Sequence, residues 1–247
     1  MTPLLIALQF LTRLPVRLPH APTPRELGQS LLWYPLVGLL LGALLYGLAC
    51  GLDLIAPALR PGLLLAAWVW LTGALHIDGL GDTADAWIGG RGDRERMLTI
   101  MQDPRAGPGA VAVIVLVLLL KFEAIAAVSG PQRIDLLLPP FLARVAVPAL
   151  FATTPYVRSG GIATDHAAEL PRRAAILWVV ASLLAAGYIF GSPGVVAVFG
   201  TAATFLIMRT VLMRSLGGTT GDTAGAMVEL METAVLIAIA AQASAGR

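Results

Sequence analysis

The chain has 247 residues, 57% of them hydrophobic and only 13% charged, with a mean hydropathy of +0.80. A soluble domain carries about 25% charged residues, so this chain has too little polar surface to cover a water-exposed core, and a lipid-facing exterior is expected. A net charge of +2 with dispersed arginines excludes a nucleic-acid footprint. The single cysteine, Cys50, excludes an intrachain disulfide and a cysteine-based zinc site.

Residues 1–12 are apolar from the start and lack the basic segment and small-residue cleavage site of a signal peptide. Residues 4–11 are too few to cross about 30 Å of hydrocarbon, so a retained interfacial or re-entrant helix is expected. Pro15, Pro19, Pro22 and Pro24 then predict a loop. Seven apolar runs follow, at 31–50, 63–77, 109–128, 136–153, 174–190, 194–212 and 223–242. Most approach the ~17–25 residues of a spanning helix. The second is the shortest and runs on into a polar segment, Pro139 and Pro140 weaken the fourth, and Gly191-Ser192-Pro193 predicts a tight turn between the fifth and sixth. The expected fold is all-α: one membrane-embedded domain over residues 1–247 with about seven transmembrane helices.

Placing residues 13–30 on the cytoplasmic side puts twelve arginines in cytoplasmic loops or at span ends beside them, against Arg60, Arg133 and Arg247 on the other side. That bias predicts a cytoplasmic N-terminus and an external C-terminus. Lys121 and Arg144 fall inside predicted spans, as do Glu123, Glu229 and Glu232. Ionisable groups inside a membrane mark functional positions by default; Arg144 is expected to pair with Glu123 or Glu229.

The most informative segment is His76-Ile77-Asp78-Gly79-Leu80-Gly81-Asp82-Thr83-Ala84-Asp85. Its aspartates are spaced i, i+4, i+7, which on a helix confines them to an arc of about 60°. Carboxylates on one face repel unless a cation lies between them. Mg²⁺ suits such a place, because it takes one or two carboxylates together with substrate phosphates. Gly79 and Gly81 either admit a close backbone approach or break the helix. His76 orients a carboxylate, acts as a ligand or caps a helix end. Arg94, Arg96, Asp103 and Arg105 follow closely, and a second polar segment, Gly217 to Thr223 with Asp222, opens the last span. Thr220 and Thr223 are also plausible as ordinary helix caps. Arginine forks match phosphate oxygens, so carboxylates, metal and arginines together suit phosphoryl transfer.

At these residues the sequence resembles the cobalamin synthase family, the adenosylcobinamide-GDP ribazoletransferases. The matching pieces run in family order: Phe10-Leu11-Thr12-Arg13-Leu14-Pro15-Val16, Tyr34-Pro35-Leu36-Val37-Gly38, the segment from His76 to Asp85, Met101-Gln102-Asp103-Pro104-Arg105, Tyr156-Val157-Arg158 with Gly160-Gly161, and Gly217 to Ala226. Pro104 stands where the family usually has Ser, and Ala86 where it often has Gly.

The resemblance implies an inner-membrane transferase of cobalamin biosynthesis that faces the cytoplasm. It would join adenosylcobinamide-GDP to α-ribazole or its 5′-phosphate with release of GMP, using Mg²⁺. It implies Asp78, Asp82, Asp85 and Asp222 as metal or diphosphate ligands, with Asp82 or Asp85 acting in catalysis and Asp85 either a further ligand or the general base. His76, Arg94, Arg96, Asp103, Arg105, Arg158 and Glu229 are the expected substrate contacts. The lipid bilayer is the expected surrounding partner, and association into a homo-oligomer stays open. A CDP-alcohol phosphotransferase is the rival enzyme, but its Asp-Gly-x-x-Ala-Arg element is missing, since Asp78-Gly79 is followed by Leu80-Gly81-Asp82-Thr83. A transporter would place its acids near mid-membrane in broken helices, whereas this cluster sits at a predicted cytoplasmic end.

Overall fold

The computed structural model describes residues 1–128, 130–158, 160 and 162–245. Among these residues the chain is helical, with no strand and a single isolated bridge between Tyr156 and Thr219. The helices are α1 (Thr2–Leu11), α2 (Pro24–Ser30), α3 (Tyr34–Ile55), α4 (Arg60–Thr72), α5 (Leu75–Gly90), α6 (Arg94–Ile100), α7 (Pro108–Ala127), α8 (Leu138–Thr153), α9 (Ile162–Ala168), α10 (Arg172–Ser215) and α11 (Gly221–Ala245). Five helical stretches are long and apolar enough to cross a membrane, or six if the bent pair α4–α5 counts as one crossing. The outward faces are greasy to match: Leu177, Tyr188, Ile189 and Phe199 stand exposed along α10, as on a surface not meant for water. The protein is an all-α polytopic membrane protein.

Local chemistry sets the helix ends. Two consecutive left-handed residues, Gly73 (φ 63°) and Ala74 (φ 58°), stop α4 five residues before the expected end of the second span. The chain leaves at 88° and continues as α5, so the acidic segment lies on a helix and not in a loop at a span end. Gly191 (φ 59°, ψ −134°) breaks α10. Gly194 packs against the carbonyl of Ala186, although eight residues of straight helix would separate them by about 12 Å. The chain therefore doubles back here, as the Gly-Ser-Pro turn predicts. Pro139 does not weaken α8, because it sits in the first turn, where its missing N–H is no loss.

One helix was not foreseen. The proline-rich stretch after residue 15 contains α2, started by a capping box in which Thr23 Oγ1 accepts from the Glu26 N–H and Glu26 accepts from Thr23. The expected N-terminal helix is present as α1. The Arg13 N–H donates to the Leu71 carbonyl at 2.7 Å, which ties the end of α1 to the end of α4.

The bundle core is not wholly apolar. Lys121 on α7 donates to Glu229 (2.7 Å) and Glu232 (2.6 Å) on α11, and its ammonium lies 4.7 Å from the Trp68 ring centroid. Arg144 on α8 also pairs with Glu232, and the Trp68 Nε1–H donates to Glu232 at 3.3 Å. Arg144 touches Glu232 directly and meets Glu229, one of its two expected partners, only through the field of that carboxylate, which Lys121 holds; Glu123, the other, is exposed. Two cations and two carboxylates, all at most 4% exposed at the side chain, neutralise one another inside the bundle.

Candidate active site

The α5 aspartates face α11 and α7. Asp78, Asp82 and Asp85 occupy successive turns of one helix, as their spacing requires. Asp222, in the first turn of α11, joins them across a tight crossing. A β-carbon at Gly79 would lie 2.6 Å from the Asp222 carbonyl oxygen, so only glycine lets α5 pass this close. Asp82 consequently sits in the fields of Asp78, Asp222 and Asp85, relieved by Arg158.

A second junction fixes Asp222. The Val157 N–H donates to the Thr219 carbonyl (3.0 Å), and the Thr219 N–H to Pro155 (2.8 Å). This short parallel pairing sets the loop after α8 beside the start of α11. Arg158 then donates to Asp222 Oδ2 at 2.7 Å. The α11 N-terminus is capped by Thr220, whose Oγ1 accepts from the Thr223 N–H at 3.2 Å. Arg94 donates from Nε to the Leu216 carbonyl at 2.7 Å and braces the same loop from the other side.

The carboxylates differ in what they already hold. Asp85 accepts from the Gly107 N–H (2.5 Å) and the Ala110 N–H (2.8 Å), capping α7 from outside that helix. Asp222 is paired with Arg158. The Asp78 and Asp82 carboxylates form no ion pair or hydrogen bond with the other described residues. Also among the described residues, no three His, Cys, Asp or Glu side chains form a metal cage. A Mg²⁺ ion that shares substrate phosphates needs only one or two carboxylates, and Asp78 and Asp82 are the two left with open valence. The donor set therefore fits such an ion.

A cavity of about 190 Å³ is lined by His76, Asp78, Gly79 and Asp222 together with Phe10, Tyr34, Phe151 and His166. His76 is buried, with Nδ1 3.4 Å from Arg144. Arginine only donates, so Nδ1 accepts and the neutral ring carries its proton on Nε2. A second hollow at Asp85, Asp103, Arg105 and Gly107 continues the acidic row. There Arg105 grips Asp103 through its side chain and its own backbone N–H, which holds the Asp103 carboxyl down at about 2.

The structure thus brings together His76, Asp78, Asp82, Asp85, Asp222 and Arg158. Arg94 serves as a brace, and Arg96 is exposed on α6, where its backbone N–H helps receive the Asp93 cap. Glu229 belongs to the buried ion network and not to the cavity lining. The aromatic wall was not anticipated: Phe10 and Tyr34 stood in motif segments, but nothing in the sequence marked His166.

The model of the cobalamin-5-phosphate synthase family matches residues 3–240. The chain belongs to that family. It is 56% identical over 238 residues to an adenosylcobinamide-GDP ribazoletransferase of Pseudomonas paraeruginosa, covering 96% of this chain and 97% of that one. It is 55% identical over 243 residues to the protein of the same name from Stutzerimonas stutzeri, covering 98% and 99%. A third, from Pseudomonas entomophila, is 56% identical over 242 residues, covering 97% and 99%. No solved structure matches the chain. The chain is a transferase of cobalamin biosynthesis, and these three relatives match 96–98% of its length.

Proposed function

We propose that this chain joins adenosylcobinamide-GDP to α-ribazole or its 5′-phosphate and releases GMP. One observation carries the reading: Asp78, Asp82 and Asp222, with Arg158, converge beside a cavity in a chain that matches the named transferases end to end. In the proposed step the ribose 3′-hydroxyl attacks the corrinoid-side phosphorus. The new phosphodiester forms as the bond to GMP breaks, and the bridging oxygen leaves with GMP. The hydroxyl proton passes to a carboxylate. Asp78 and Asp82 would hold Mg²⁺, whose chemistry is to neutralise the diphosphate. Arg158, held in line by Asp222, supplies a fork for the phosphate oxygens.

The same reading includes an inner-membrane location, seven crossings and an active site facing the cytoplasm. Asp85 caps the N-terminus of α7, while Arg60 donates to the carbonyls of Ile125 and Ala126 at its other end, about 30 Å away along 20 residues. The carboxylates therefore gather at one end of the bundle, the end rich in arginine. Seven crossings result when the two limbs of α10 are counted separately and α4–α5 as one.

The test is turnover by purified protein in liposomes given adenosylcobinamide-GDP, α-ribazole and Mg²⁺, with CDP-alcohol donors in parallel. One GMP per cobalamin product is expected. CMP without GMP, or no product from competent protein, refutes the reading.

A further inference from the structure

The cavity lining combines two chemistries. It carries Asp78 and Asp222, and it carries three mutually packed rings on three separate helices, α1, α3 and α9. Phe10 stacks on Tyr34 with centroids 6.4 Å apart and planes 23° apart. His166 lies 5.6 Å from Phe10 and meets Tyr34 edge-on at 6.4 Å and 61°. Tyr34 and His166 are buried, whereas Phe10 remains 37% exposed. Two buried rings therefore fix a third that lines the cavity with surface to spare. Nothing in the phosphoryl-transfer step uses these rings, and their packing alone does not require an open cavity beside them.

We propose that this aromatic wall takes the flat base of α-ribazole, with its ribose directed toward Asp78 and Asp222. The inference rests on the transferase reading above and adds to it where the acceptor binds. Flat heterocycles stack on aromatic side chains whatever their edge chemistry, and aromatic rings prefer offset or edge-on neighbours at these separations. The size is right for one ring system and its sugar: about 190 Å³ is below the 300–1,000 Å³ of pockets that enclose drug-sized ligands. A corrin macrocycle does not fit.

The guanine of the donor is the competing ring. Guanine exposes an N1–H and a 2-amino group that call for a carboxylate or amide acceptor. Besides the three rings, Leu11, Val147, Phe151 and Ala163 line the cavity, and its only two carboxylates among the described residues, Asp78 and Asp222, are the ones the reaction itself occupies. A base with a hydrocarbon periphery matches that lining better. An acceptor seated there also places its sugar hydroxyls at the carboxylates, where the reaction needs them.

Phe10→Leu removes the ring and keeps an apolar side chain at a partly exposed position; Phe10→Trp keeps a ring. KM for each substrate is measured at saturating levels of the other, in liposomes. Phe10→Leu should raise KM for α-ribazole roughly five- to a hundredfold, the range that stacking on one aromatic side chain is worth, and leave KM for adenosylcobinamide-GDP within about twofold. Phe10→Trp should restore most of the loss. A rise in the donor KM alone assigns the wall to guanine and overturns the proposal. A fall in kcat with both KM values unchanged makes Phe10 structural and overturns it too. The fluorescence of α-ribazole, titrated with enzyme and no donor, provides a readout independent of turnover. Wild-type binding that Phe10→Leu abolishes supports the stack even if no GMP is ever released, in which case only the reaction assignment fails. No binding to wild-type protein refutes the stack.

Discussion

Lys121→Met removes one charge from the buried network and leaves Glu229 and Glu232 with Arg144 alone. The side chains of Lys121 and Glu232 are 2% and 0% exposed, so water cannot replace the lost partner. Breaking a buried pair by removing one member costs about 3–5 kcal/mol, because the remaining charge stays buried. At about 2–4 °C per kcal/mol for a chain near this size, the midpoint should fall by roughly 6 to 20 °C. The assay heats purified protein in detergent and measures the surviving monodisperse fraction by size exclusion. Lys121→Met/Glu229→Gln restores one cation to one anion and should recover most of the loss, so the two substitutions are expected to be strongly non-additive. A single variant that melts within 2 °C of wild type would falsify the electrostatic account. So would a double variant whose loss equals the sum of the two singles.

Asp78→Asn and Asp82→Asn should each abolish GMP release while the protein still inserts, and a chelator should stop the wild-type enzyme; normal turnover of either variant in excess Mg²⁺ removes that residue from the ligand set. Gly79→Ala should push α5 off Asp222 and cut kcat at least tenfold with full-length protein in the membrane, since the added carbon meets backbone and not a movable side chain; unchanged turnover would show that the crossing can relax. Asp85→Asn leaves one acceptor where α7 needs two, so a stability loss of about 1 kcal/mol and a smaller fall in kcat than for Asp82→Asn are expected; a complete loss of kcat without a stability change would make Asp85 catalytic. For topology, single cysteines at Gly92 and Ala245 in a Cys50→Ala background should label from opposite sides of the membrane; labelling from the same side rules out seven crossings.

What the sequence disclosed follows the physics of each signal. Long apolar runs are read directly, and α3, α7, α8 and α11 lie where the hydropathy put them, with ends shifted by a few residues. The period of Asp78, Asp82 and Asp85 foretold a common helix face before any helix was known. The 88° turn was less legible. It depends on two left-handed residues of which only Gly73 advertises such a backbone; Ala74 carries no signal for φ 58°. Helix α2 hid among prolines because the residues after its capping box, Arg25 to Ser30, are mostly polar, and the apolar run begins only at Leu31. The role of Asp85 was beyond sequence reasoning, since its partners, the N–H groups of Gly107 and Ala110, carry no side-chain identity. Likewise Arg144 offered several partners at the sequence level, and only packing chose Glu232.

The ion network has a consequence for the order in which the protein is made. The ribosome delivers Lys121 and Arg144 on α7 and α8 well before Glu229 and Glu232, both of which lie on the last helix. During that interval two positive charges belong to nascent segments whose counter-charges have not been translated. Each costs about 2.5–3.5 kcal/mol at the centre of an inserted helix, a burden of about 5–7 kcal/mol that lifts only when α11 docks. The same helix brings Asp222 to the aspartates of α5. Charge neutrality and the active site are therefore completed in one late event, and a nascent chain that stops before residue 221 has neither.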